Sequence, residues 1–287
     1  MKLTRKKLLE VIRRKNEGWT TYQVRKIAGI SIRRVNQVWK QYEATGELPE
    51  IGKGNGRPSK SLSQEEIVLV KETYLKYRVS ADTLERLIER DAGRHIPHNR
   101  IHKMLIYLGY AQPKNRRDVR KKNWIRYERR HSLAAVHIDW YYDAYSEKWV
   151  CAVIDDASRK LLALLECDSP TTEATILCLK MALSHGRIKQ CISDHGSQFT
   201  CNRDGDSKFQ EFLDANGIKS ILCKIKHPQS NGKVEKFFSL YKAKRFQFET
   251  KEAFVQWYNE IRPHKSLNFE VLETPQQAFM RKAKAEV

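Results

Sequence analysis

Nowhere does this chain approach the roughly 18 consecutive apolar residues that a membrane span requires, although 40% of its 287 residues are hydrophobic. The opening MKLTRKKLLEVIRRK is charged and contains no apolar core, so it is not a secretory signal, and a cytoplasmic protein with no membrane partner is expected. Cysteine is scarce. The six residues Cys151, Cys167, Cys178, Cys191, Cys201 and Cys223 include no C-x-x-C pair, which argues against a zinc site. Cys151, Cys178 and Cys191 fall within apolar runs and read as buried, reduced thiols. Acid is scarce in the first 130 residues, where 14 Asp+Glu face 32 Lys+Arg for a net of +18, against +2 for the remaining 157. A generally basic protein would spread its charge evenly. The asymmetry instead marks a polyanion-binding region joined to something else.

The basic part divides by its punctuation. Residues 1–50 read as three helices stopped by glycines, with a capping box at Thr20–Gln23 and Ser31 capping the third. Val35, Val38, Trp39 and Tyr42 form that helix's inward stripe, leaving Arg33, Arg34, Asn36, Gln37 and Lys40 outward or flanking. A short helix, a tight turn and a helix bearing Arg, Asn and Gln near its start is the arrangement of a helix-turn-helix, whose side chains read base edges in the major groove. Residues 51–61 are a flexible basic linker; Gly56-Arg57-Pro58 within it resembles the minor-groove core of an AT-hook, although a plain linker is the better reading.

Residues 62–111 repeat the pattern, with a capping box at Ser63–Glu66, a cap at Ser80, and a third helix whose Ile101, Met104, Leu105 and Leu108 face inward. His98, Asn99, Arg100, His102 and Lys103 are then free to face DNA. His95, His98 and His102 invite a metal reading, but no carboxylate or thiol in the pattern completes a tetrahedral set. Residues 112–131 hold nine Lys+Arg against two acids, including Arg116, Arg117, Arg120, Lys121 and Lys122, and read as a track for phosphates.

At residues 132–249 the texture changes. LAAVHIDW, KWVCAVIDD, KLLALLEC and IKQCISD are strand-length apolar runs, the first three close enough to be hairpin-linked and the fourth preceded by a helix. Asp139 lies on the first strand, Asp194 ends the fourth, and Glu235 opens the amphipathic helix NGKVEKFFSLYKAKRF. Oxygen ligands on three carboxylates suit two Mg²⁺ or Mn²⁺ ions. Such ions, about 3.5–4 Å apart, can serve in-line displacement at phosphorus. Lys233, Lys236 and Lys242 on the same helix are placed to meet phosphates. His137 and His195 flank the two aspartates and serve either substrate contact or packing, while Asp155 and Asp156 compete with Asp139 as ligands.

These motifs carry a resemblance. The aspartate in HIDW, D-x-G-S-x-F at Asp194, P-Q-S-N-G-x-x-E at Glu235, and the ending with Arg262-Pro263-His264 and Thr274-Pro275 resemble the Asp-Asp-Glu transposases of insertion sequences, which share a catalytic core with retroviral integrases. The resemblance implies a multidomain protein: two small all-α helix-turn-helix domains, an α/β ribonuclease-H-like catalytic domain, and a helical C-terminal tail over residues 250–287. It further implies catalytic and metal-binding roles for Asp139, Asp194 and Glu235, double-stranded DNA as partner, and a homo-oligomer, at least a dimer. Forty residues separate Asp194 from Glu235, a few more than the family pattern, and the excess is expected in the polar stretch CNRDGDSK. The alternative function is that of a transposase-derived DNA-binding regulator without catalysis.

Overall fold

The computed structural model describes residues 3–51, 61–113, 127–200, 207–223 and 231–283. Arg57 and the arginines and lysines at 116, 117 and 120–122 lie outside these residues, as do the 51–61 linker's central stretch, most of the CNRDGDSK stretch and Pro228–Ser230. The chain forms two compact units, residues 1–61 and 62–287.

The first unit is three helices, α1 (Arg5–Asn16), α2 (Thr21–Ala28) and α3 (Ile32–Thr45). Each begins where the sequence supplies a cap. Thr20 and Gln23 form the reciprocal box, and the Ser31 hydroxyl accepts from the Arg34 amide. Gly29 and Gly46 end α2 and α3 in the left-handed conformation at φ 59° and 70°, which costs glycine little because it has no Cβ. Leu8, Val11, Val24, Val35 and Val38 close a small core, and Trp39 and Tyr42 lean on it half-buried.

The second unit opens with α4 (Gln64–Tyr77), α5 (Ala81–Ala92) and α6 (His98–Tyr107). Two expected caps are not made. Ser63 stands at the N-cap of α4 without a side-chain bond, and the Glu66 carboxylate, the return half of the box, is drawn off to Arg100 at 2.6–2.7 Å. The Ser80 hydroxyl turns to the Asp82 carboxylate at 2.6 Å instead of the helix end.

A five-stranded sheet follows: β1 (Val136–Asp143), β2 (Lys148–Asp155), β3 (Leu161–Cys167), β4 (Gln190–Ser193) and β5 (Lys219–Leu222), in spatial order β3-β2-β1-β4-β5. The first three run antiparallel, and β4 and β5 run parallel to β1. Helices α7 (Thr172–Leu183) and α8 (Lys208–Ala215) supply the crossovers. The four-residue β5 has too little alternation to be read in advance. This is a mixed α/β core of ribonuclease-H-like order.

Both faces of the sheet are covered, which explains why β1 and β2 read as continuous apolar runs. Side chains alternate between faces. Val136, Ile138 and Trp140 enter one core with Cys151 and Val153, beneath α7 and α8. Val150, Ala152 and Ile154 enter the other, shared with α4–α6 and with helix α9 (Gly232–Lys244). His137, Asp139 and Tyr141 must therefore lie on the α9 face. The tail carries α10 (Lys251–Gln256), a π-helical turn (Trp257–Ile261) and α11 (Pro275–Lys282). It is clipped to the sheet through Asn259, whose amide bonds both Leu161 backbone groups at 2.9 Å on edge strand β3. Thr274 and Gln277 form a second reciprocal box with Pro275 in the first turn, a physical use for that part of the motif.

Candidate active site

Pairing register brings the two aspartates together. Val136 faces Cys191 and His137 faces Ile192 across the parallel β1–β4 pair. Continuing that register sets Asp139 opposite Asp194, one residue past the end of β4. Adjacent strands lie about 4.8 Å apart. Aromatic packing delivers the third acid. Tyr141, two residues along β1 on the same face as Asp139, stacks on Phe238 at 5.3 Å and meets Tyr241 edge-on at 6.4 Å. Val234, Phe237, Phe238 and Tyr241 are buried, so α9 is held by its apolar stripe, and Glu235 stays exposed within reach of the Asp139 charge.

The electrostatics register this convergence. Burial is the larger force pushing the Asp139 carboxyl up to about 7, and repulsion from Asp194 and from Glu235 adds to it, against the Trp140 amide donating at 2.8 Å. The other carboxylate oxygen of Asp139 accepts from Asn231 Nδ2 at 2.8 Å. Asp194 is braced by the Gly196 amide at 2.9 Å, and a Cβ at Gly196 would strike the Gln198 side chain. Two neighbours had no role assigned from sequence. Cys223 follows β5 and bonds Ser193 through its amide. Burial and then the fields of Asp194, Asp139 and Glu235 push its thiol up to about 11, which keeps it protonated. Asn231 is 7% exposed, and its Oδ1 has no partner among the described residues. Its signal lay in the S-N-G of the quoted motif, but only the fold shows which atom it meets.

The donor set is chemically that of a hard divalent cation: three carboxylates and a spare amide oxygen. Among the described residues no three His, Cys, Asp or Glu side chains stand close enough as placed to hold a metal ion.

Asp155 and Asp156 do not compete as ligands. Asp155 is buried and accepts from the Leu133 and Ser158 amides and the Ser158 hydroxyl at 2.5–2.8 Å. Asp156, 1% exposed, would be raised by burial, but the hydrogen bonds from His137 and Lys233 outweigh this and hold its carboxyl well below the usual range. His137 Nε2 bonds it at 2.8 Å and the Arg129 amide at 2.6 Å, which assigns His137 to packing. Lys233 is therefore a correction. Its ammonium is bound to Asp156 instead of facing phosphates, and burial pulls it down to about 8. His195 remains at the surface, bonded to the Cys223 carbonyl at 2.8 Å.

The remaining expected DNA contacts sort by exposure. Arg33, Asn36, Gln37 and Lys40 are exposed on α3, and Arg34 is half-buried with its guanidinium on Gln37 at 3.1 Å. Asn99, Lys103, Lys236 and Lys242 are exposed as well. Three others are not free as expected. Arg100 is tied to Glu66, His102 is half-buried, and His98 bonds Glu85 at 3.0 Å. Glu85 also lies 3.6 Å from His95, so a carboxylate does stand between the two histidines, which sequence spacing did not show.

Parts of this chain resemble known proteins. Residues 129–228 match the integrase core domain family. The ORF3 protein of Spiroplasma virus SpV1-C74, whose name is that of an integrase, is 31% identical over 146 residues, 42% of this chain. The chain spans 40% of that viral protein's length. An uncharacterized protein of Archaeoglobus fulgidus is 29% identical over 94 residues, 33% of this chain and 75% of its own length. The catalytic core domain of BIV integrase superposes with a TM-score of 0.42 at 18% identity, over 52% of this chain and 95% of that one. These likenesses support an integrase/transposase catalytic core within residues 129–228.

No helix of the described residues is long and apolar enough to cross a membrane.

Proposed function

We propose that the chain is a DNA transposase that binds the terminal inverted repeats of an insertion sequence, frees 3′-ends by metal-dependent hydrolysis and joins them to target DNA. One observation carries the catalytic reading: Asp139 is a half-buried carboxyl raised to about 7 by burial and by two further acids brought to it from another strand and a helix. A carboxyl held against its charge beside other acids is a candidate site of chemistry. A set of like charges that packing holds together is the usual invitation to a cation.

In this reading Asp139, Asp194 and Glu235 hold two Mg²⁺ ions, with Mn²⁺ able to substitute. When bound, the ions supply activation of the attacking oxygen and stabilisation of the leaving one. The residues do the rest. Burial of Asp139 excludes water from one side, the Gly196 amide fixes the Asp194 carboxylate, and Asn231 orients Asp139 and offers a second acceptor at the site. Water attacks the scissile phosphodiester first, and the liberated 3′-hydroxyl then attacks target DNA. No side chain forms a covalent bond to the substrate. The exposed α3 residues serve as the base-reading set of a helix-turn-helix, with α5 and α6 a second module, and Lys236 and Lys242 meet phosphates. Two ends must be held together, so the active species is an oligomer, at least a dimer.

The test is Glu235→Gln with labelled end DNA. Mg²⁺-dependent end cleavage is expected to vanish while repeat binding persists. Undiminished cleavage would remove Glu235 from the chemistry. Binding without cleavage by the unaltered chain would favour the regulator instead.

A further inference from the structure

Helix α9 is fastened to β1 at Asp139 and on either side of it. Beyond Asp139, Tyr141 stacks on Phe238 and meets Tyr241. At Asp139 itself, Asn231 donates to the carboxylate. Before it, His137 bonds Asp156, and the same Asp156 oxygen takes the Lys233 ammonium. His137 and Asp156 are buried, and the Lys233 side chain is 12% exposed. Asp156 belongs to the frame of the sheet. Its free carboxylate oxygen accepts from the Arg129 amide at 2.6 Å, and its own amide donates to the Ala135 carbonyl at 3.0 Å.

Stability alone does not explain a charged pair here. A buried ion pair recovers in attraction little more than its desolvation costs, and an apolar pair of similar volume would hold as well. Burial on this side of α9 is already supplied by Phe237, Phe238 and Tyr241. An apolar stripe, however, is non-directional and tolerates small slides and rolls. A charge-assisted hydrogen bond prefers one length and one direction.

The direction bears on the third acid. Val234 is fully buried on the inner side of α9. Lys233 and Glu235, its neighbours in sequence, therefore leave the helix on opposite flanks, since residues two apart do not share a face. Lys233 goes to Asp156, just past the end of β2, on one side of β1; β4 and β5 lie on the other. Glu235 is thereby turned toward the side of Asp194. Its charge is felt at Asp139 and at Cys223, which follows β5. We propose that Lys233 and Asp156 are positioning residues for the third carboxylate: their ion pair fixes the first turn of α9 so that Glu235 is presented to a cation at Asp139 and Asp194. The three acids as placed do not yet close on an ion, and the exposed Glu235 side chain supplies the remaining travel from a start that Lys233 sets. The inference rests on the metal reading above and deepens it.

The test is Mn²⁺ binding to the full chain without DNA, followed by the paramagnetic resonance of the free ion. Lys233→Met and Asp156→Asn are each expected to weaken binding about tenfold, the lower end of what losing an outer support costs a metal site. A field effect would give opposite signs. Removing the lysine leaves the neighbourhood more negative and would tighten Mn²⁺, whereas removing the aspartate charge would loosen it. A purely stabilising pair would lower the unfolding temperature and leave the folded chain's affinity at the parent value. Unchanged or tighter binding by folded Lys233→Met overturns the proposal. Removing one partner of a buried pair is strongly destabilising, so if Lys233→Met does not fold, Asp156→Asn decides at low and high salt. A loss relative to the parent that persists at high salt supports positioning; no loss, or one that screening erases, overturns it. Glu235→Gln separates this inference from the reading beneath it. If that variant weakens Mn²⁺ binding and Lys233→Met does not, the positioning proposal falls alone. If the parent binds no Mn²⁺, the metal reading falls with it.

Discussion

Replacing Asp139 by Asn should stabilise the metal-free protein at alkaline pH, and the size of the effect follows from the site. A carboxyl moved from 3.8 to about 7 holds its proton more tightly when folded than when unfolded. The sign is opposite to that of a salt-bridged acid. Stability is highest where the group is protonated in both states, falls as pH rises above 3.8, and levels off once pH passes about 7. At 1.36 kcal/mol per pKa unit the full penalty is about 4 kcal/mol, of which about 2.5 kcal/mol develops between pH 5 and pH 8. Asn is nearly isosteric and keeps an oxygen for the Trp140 amide. Asn231, whose Oδ1 is unpartnered, can turn its amide over to accept from the new nitrogen. Urea unfolding in chelator at both pH values measures the difference. The stability gain of Asp139→Asn over the parent should grow by about 2.5 kcal/mol from pH 5 to pH 8, and added Mg²⁺ should stabilise only the parent. A gain independent of pH would mean that Asp139 is not held against its charge, and the argument for the site would fail.

The buried ion pair makes the opposite kind of prediction. Lys233→Met strands Asp156 inside the protein with only His137 and an amide, and should cost about 3–5 kcal/mol by denaturant unfolding; a loss below 1 kcal/mol would indicate that Lys233 is not pinned there. On α3, Asn36→Ala and Gln37→Ala should weaken binding to terminal-repeat DNA by about 1–3 kcal/mol each and leave binding to unrelated duplex unchanged. Equal losses on both DNAs would assign these residues to phosphate contact.

Much of this protein was determined locally. Thr20 with Gln23, Ser31, Thr274 with Gln277, and Gly29 and Gly46 act on their own helix ends through backbone groups within a turn, so their effect is written in neighbouring residues. The same holds for the strand runs around Asp139 and for the apolar stripe of α9, whose period fixes which side is buried. Residues 129–228, which match the integrase core domain, were legible for that reason as strand-length runs and a helix. Competition between distant partners was not. Glu66 forsakes its cap for Arg100, Lys233 for the same reason leaves the phosphate-facing side to join Asp156, and Glu85 finds His98. Each choice depends on which charges the fold brings within about 4 Å, a distance unrelated to separation along the chain. Cys223 and Asn231 became part of the site in the same way, one through the β4–β5 register and the other through the packing of α9 on Tyr141. Composition and periodicity determined the elements and the chemistry they carry; only close packing of the sheet, α9 and the tail decided which side chains meet.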